Sequence, residues 1–90
     1  LEALYASDGC AIAVDDVALL AAQRQAATLE GTFVCPEGAA LFAAAAQLRE
    51  SGWIRPGARV VALNTGAGIK YPDTFEATPP VLQPGDRLPR

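Results

Sequence analysis

Arg59-Val60-Val61-Ala62-Leu63-Asn64-Thr65-Gly66-Ala67-Gly68-Ile69-Lys70 joins an apolar run to a polar, glycine-bearing turn. A short apolar run between Pro56-Gly57 and a Gly-x-Gly turn has the pattern of a buried strand of a parallel sheet. Polar residues begin where the run ends. In open α/β sheets ligands bind in the crevice outside the carboxyl ends of the strands, so Asn64, Thr65 and the backbone of Gly66 to Gly68 are the first candidates for ligand contact. Glycine at 66 and 68 lets a ligand approach the main chain closely.

The glycine spacing fits neither common phosphate-binding pattern. A third glycine of G-x-G-x-x-G would fall at Tyr71, no helical pattern follows, and the G-x-x-x-x-G-K-[ST] spacing is absent. By spacing alone an ordinary tight turn and a ligand-contacting turn both remain open.

Moving towards the N-terminus, Pro36-Glu37-Gly38 opens a helical run from Ala39 to Glu50, rich in alanine and closed by Ser51-Gly52, with Trp53 and Ile54 expected to pack under its end. Thr32-Phe33-Val34-Cys35, β-branched and aromatic and stopped by proline, reads as another strand. Before it, Asp15 is a good N-cap and Asp16 suits the positive end of a helix dipole. Leu19, Ala22, Ala26 and Leu29 recur at helical spacing, Gln23, Arg24, Gln25 and Glu30 form the polar face, and Gly31 is placed to end the helix. Cys10 to Val14, after Ser7-Asp8-Gly9, reads as the first strand. The fold expected is therefore α/β: a strand-helix-strand-helix-strand fragment of a parallel sheet with right-handed crossovers. Towards the C-terminus the pattern changes. Residues 71 to 90 hold five of the seven prolines, at 72, 79, 80, 84 and 89, which predicts a domain part over residues 1–73 and an extended Pro-rich tail over 74–90.

Ninety residues suffice for one small domain of marginal stability. With 51% hydrophobic and only 19% charged residues, part of its surface is expected to meet a partner. The chain opens at Leu1 and contains no methionine, so it is read as a fragment whose partner is the remainder of its own chain. A net charge of -3 with scattered basic residues argues against nucleic acid and anionic membranes. No run approaches the ~18 to 20 apolar residues that span a bilayer, and no secretory leader pattern is present. Cys10 and Cys35 form neither a C-x-x-C pair nor a metal pattern and read as buried free thiols in a reducing cytoplasm. The absence of histidine excludes Ser-His-Asp and Cys-His catalysis within these residues. Lys70, the sole lysine, reads first as a solvated charge; a Schiff-base role would need desolvation or a neighbouring cation. Glu37 reads first as a helix-dipole acid and second as a pocket carboxylate.

Over residues 10 to 73 the chain resembles the C-terminal part of the threonine synthases, within the fold-type-II pyridoxal-phosphate enzymes. Val61 to Asp73 is similar to that family's apolar strand followed by T-G-x-G-[LI]-K-x-P, and Phe33-Val34-Cys35-Pro36-Glu37-Gly38-Ala39-Ala40 is similar to its F-V-E-P-x-x-A-A junction, with Cys35 where the family often has an acid. The resemblance implies a tryptophan synthase β-like fold and pyridoxal 5'-phosphate as cofactor. It assigns cofactor contacts to Thr65, Gly66 and Gly68, and more weakly to Asn64 and Glu37, with Thr65 meeting the pyridine nitrogen. It implies conversion of O-phosphohomoserine and water into threonine and phosphate, a small amino-acid substrate, and allows a homodimer. The Schiff-base lysine and the phosphate-binding loop precede this segment in the family, and Lys70 does not match the lysine motif, so the segment alone is expected to be inactive. The competing readings are a threonine or serine dehydratase, a sulfhydrylase, and a non-catalytic α/β interaction module.

Overall fold

In the computed structural model, which describes residues 1–88, regular structure is helical. Helix α1 spans Glu2–Ala6, α2 Asp16–Glu30 and α3 Pro36–Glu50, followed by two single 3-10 turns, Gly68–Lys70 and Pro72–Thr74. No strand forms among the described residues. Their one β contact is an isolated antiparallel bridge between Val34 and Ala67. The expected parallel α/β sheet is therefore not what the chain adopts.

The reason is visible in burial. Reading Cys10–Val14, Thr32–Cys35 and Val60–Leu63 as strands presumed that their apolar side chains are covered, since a parallel ladder is buried on both faces. Instead Ile12 is exposed, and Val61 and Leu63 are 92% and 79% exposed; Val34 and Cys35 are buried, but that segment pairs only through the single bridge to Ala67. Helices α2 and α3 pack against each other rather than over a sheet. An apolar run of four to six residues carries too little periodic information to separate a strand from an extended connection.

The helices themselves follow from local chemistry. The Asp15 carboxylate accepts the Ala18 N–H at 2.7 Å, satisfying one of the first free amides of α2. Gly31 ends that helix with φ 64°, a left-handed conformation that costs a side chain dearly and glycine little. In α3 the capping position is Cys35 and Pro36 is the first helical residue, where its fixed φ and missing N–H do no harm. The helix thus starts three residues before the predicted Ala39. Ser51 caps its other end, and the Ile54 N–H reaches back to the Leu48 carbonyl at 3.0 Å, leaving Ile54 half-buried and Trp53 exposed. Helix α1 has no counterpart in the sequence reading, because five residues are too few to show a periodic face.

The core is small. Val34, Cys35, Ala39 and Ala43 are its buried apolar residues, and Gln23, which the helical pattern puts on the polar face of α2, is completely buried. Leu29, expected on the apolar face, is exposed, as is Cys10, expected to be a buried thiol. The radius of gyration is 17.3 Å, against about 12 Å for a compact chain of this length. Accessible surface is 7582 Å², against about 5,000 Å² for a compact monomer of this mass. Residues 75–83 carry no helix or strand. Pro89, the last proline of the expected tail, lies outside the described residues. Among the described residues no helix is long and apolar enough to cross a membrane.

Candidate functional site

Two segments thirty residues apart in sequence meet at the N-terminus of α3. One is Phe33-Val34-Cys35, the other the Gly-x-Gly turn. The Gly68 N–H donates to the Phe33 carbonyl at 2.8 Å and the Cys35 N–H to the Gly66 carbonyl at 3.4 Å, flanking the Val34–Ala67 bridge on both sides. Gly68 is buried beneath the Phe33 ring, whose carbons would lie 2.5 to 2.7 Å from any Cβ added there. Phe33 in turn packs on Phe75, ring centroids 5.3 Å apart and tilted by 58°, and the Arg24 guanidinium lies 5.9 Å from the Phe75 centroid. An aromatic layer thus clamps the turn from below.

Behind the junction, Gln23 donates from Nε2 to the Val34 carbonyl at 2.8 Å. A carbonyl only accepts, so this bond also fixes the amide's orientation. Its Oε1 is buried and has no donor among the described residues. The signal for this residue was available: at 19, 23 and 26 it shares the helix face of Leu19 and Ala26, where a lone glutamine among alanines is a polar group placed inside.

On the open side, Cys35, Glu37, Thr65, Gly66, Lys70 and Tyr71 line a cavity of about 270 Å³. Of the residues singled out from sequence, Thr65, Gly66 and Glu37 share this cavity. Gly68 is buried under Phe33 instead, and Asn64 lies against Gly38 at the start of α3, its Oδ1 3.7 Å from Cys35 Sγ. Lys70, exposed as its reading as a solvated charge expects, also lines the cavity, as does Tyr71, which sequence reasoning did not single out; its signal was the place directly after Ile69-Lys70 in the quoted turn.

Electrostatically the site centres on Glu37. Its carboxyl is held below the ordinary range, first by a hydrogen bond from its own backbone N–H and then by the Cys35 side chain; desolvation opposes these, and the Tyr71 hydroxyl and the Lys70 charge add lesser contributions in the lowering direction. The Tyr71 phenol is pushed above its usual value, chiefly because it donates to Glu37 and because the carboxylate charge disfavours a phenolate beside it. The cavity therefore brings a carboxyl group and a lysine side chain together with hydroxyl and thiol groups.

These groups suit the edge of an aromatic heterocycle: Thr65 offers a neutral hydroxyl and Gly66 a wall without a side chain. Among the described residues no group of three or more Cys, Asp or Glu is placed to hold a metal ion.

Residues 1–66 match the family model of pyridoxal-phosphate dependent enzymes. The chain is 38% identical over 84 residues to a threonine synthase of Mycobacterium tuberculosis, covering 93% of this chain and 23% of that protein. It is 42% identical over 73 residues to a threonine synthase of Methanocaldococcus jannaschii, covering 81% and 18%. It is 36% identical over 89 residues to one of Halalkalibacterium halodurans, covering 96% and 25%. The chain spans about a quarter or less of the length of these relatives.

Proposed function

The chain belongs to the pyridoxal-phosphate dependent enzymes, and from that premise we propose that it is the portion of a threonine synthase that meets the ring-nitrogen edge of the cofactor. The reaction proposed for the whole enzyme is conversion of O-phosphohomoserine and water into threonine and phosphate. Bound pyridoxal phosphate supplies the electron sink that such eliminations require.

The observation that carries this reading is the meeting of Thr65-Gly66 with the Cys35-Pro36-Glu37 junction around one cavity. On this reading the Thr65 hydroxyl would hold the ring nitrogen by a hydrogen bond. A neutral donor would not stabilise a pyridinium as a carboxylate would, so the ring nitrogen need not be protonated and the electron sink would be moderated. Gly66 leaves the wall bare, and Glu37, tied to Tyr71 and balanced by Lys70, keeps its charge at the rim without placing a second acid beside the nitrogen.

Residues 1–73 are assigned to the cofactor-binding part and 74–90 to a tail anchored at Phe75. The Schiff-base lysine and the phosphate cradle are assigned to the part of the enzyme outside these residues. Support for such a partner comes from the excess of accessible surface and from the exposure of Val61 and Leu63, which a further 25 cal/mol per Å² or so would favour covering.

The test is direct. The full-length protein, given pyridoxal phosphate and O-phosphohomoserine, should release phosphate and threonine in equal amounts. Turnover of threonine, serine or O-acetylserine in place of O-phosphohomoserine would move the assignment to a dehydratase or sulfhydrylase.

A further inference from the structure

Thr65 is flanked by two residues that are both tied to Cys35. On one side the Cys35 N–H donates to the Gly66 carbonyl at 3.4 Å, and a Cβ on Gly66 would lie 3.1 Å from Cys35 Sγ. On the other, Asn64 Oδ1 lies 3.7 Å from the same sulfur, within reach of an S–H donor. That sulfur also accepts the Gly38 N–H at 3.3 Å, so one thiol joins the first turn of α3 to the turn that carries Thr65.

Gly38 adds a steric observation independent of these bonds. A Cβ there would overlap Asn64 Oδ1 and come within 3.0 Å of its Cγ. The Asn64 amide therefore lies over the start of α3 in a space that only glycine leaves open. Gly38 has no positive φ, so backbone conformation does not demand glycine at this position.

We propose that Cys35, Gly38 and Asn64 form a latch that sets the Thr65 hydroxyl in the cavity, Asn64 acting as a positioning residue rather than a ligand contact. The latch rests on the reading of Thr65 given above. It joins two sequence features, Cys-Pro-Glu-Gly and Asn-Thr-Gly, into one device: the thiol bonds the amide, and the glycine makes room for it. A hydroxyl at position 35 can make both of the thiol's bonds, whereas a methyl group can make neither.

The test uses the full-length protein with Asn64→Ala, Cys35→Ala, Cys35→Ser and Gly38→Ala, each read by pyridoxal-phosphate titration, by the absorption band of the bound cofactor, and by amide exchange at Gly66 to Gly68. Losing one neutral hydrogen bond corresponds to about fivefold to tenfold weaker binding. Asn64→Ala and Cys35→Ala should each show that loss with faster exchange, the double variant should be no worse than the poorer single, and Cys35→Ser should recover to within about twofold of wild type. Additive losses in the double variant, or Cys35→Ala indistinguishable from wild type, would overturn the latch. Should Gly38→Ala fail to fold, the Ala and Ser variants at position 35 still decide. A wild-type protein that binds no pyridoxal phosphate would remove the proposed function, and the exchange contrast among the same variants would then decide the latch on its own.

Discussion

Replacing Gln23 tests how the junction is held, because this side chain is completely buried and its amide bonds the Val34 carbonyl at 2.8 Å. Val34 is itself only 3% exposed, so in Gln23→Ala its carbonyl loses its partner without gaining water. A buried acceptor left in that state costs about 1 to 3 kcal/mol. The vacated methylene adds roughly 0.8 kcal/mol, while removal of the donorless Oε1 returns part of the loss. The net expectation is about 2 kcal/mol against the junction. Gln23→Leu leaves the same carbonyl without a donor but keeps the volume, so it should cost about 1 kcal/mol, spared the packing loss of alanine. The Gly68 N–H, which donates to the Phe33 carbonyl beside Val34, reports local opening. Its exchange in the full-length protein should quicken about thirtyfold in Gln23→Ala and severalfold in Gln23→Leu, since each 1.4 kcal/mol or so is a factor of ten. Wild-type exchange in the alanine variant, or leucine as damaging as alanine, would refute the reasoning.

Two further expectations follow from the caps and the charges. Asp15→Ala removes the acceptor of the Ala18 N–H and should destabilise α2 by about 1 kcal/mol, seen as a lower urea midpoint and faster exchange confined to its first turn; an unchanged first turn would contradict the capping role. Tyr71 should ionise above about pH 10, read as the phenolate absorbance difference between wild type and Tyr71→Phe, and should return towards the ordinary value in Glu37→Gln. The signs follow from the directions of shift. Glu37, lowered, contributes stability that is present above its unfolded value and lost as pH falls through the folded one, whereas Tyr71, raised, contributes stability that is present below its unfolded value and lost as pH rises through the folded one. A Tyr71 titration unchanged by Glu37→Gln would contradict their contact.

What the sequence made legible was governed by local chemistry. Asp15 and Gly31 bound α2 because a carboxylate capping an amide and a glycine at φ 64° depend on neighbours a few residues away. The start of α3 was read late because cysteine is not among the usual capping residues, although Pro36 marked the first helical position. The strands were misread for a different reason. Whether Val60 to Leu63 pairs with anything depends on what lies beside it in space, and apolar character alone does not say whether it is covered. Gln23 shows the converse, a polar residue whose burial is set by packing between helices. At the site, Thr65, Gly66 and Glu37 were singled out by their places after an apolar run and at a helix start, and the fold brings them to one cavity. Their links through Cys35, Gly38 and Tyr71 are relations between segments thirty residues apart, which spacing within either segment does not express.

The most direct test of the central claim is the absorption spectrum of pyridoxal phosphate on the full-length protein, compared with Thr65→Ala and Thr65→Asp. Wild type should show a bound-cofactor band. Binding should be about fivefold weaker with a displaced band in Thr65→Ala, from loss of one neutral hydrogen bond. In Thr65→Asp the band should be displaced because a carboxylate favours a protonated ring nitrogen. Spectra and affinities identical in all three proteins, or no cofactor bound by wild type, would contradict the claim.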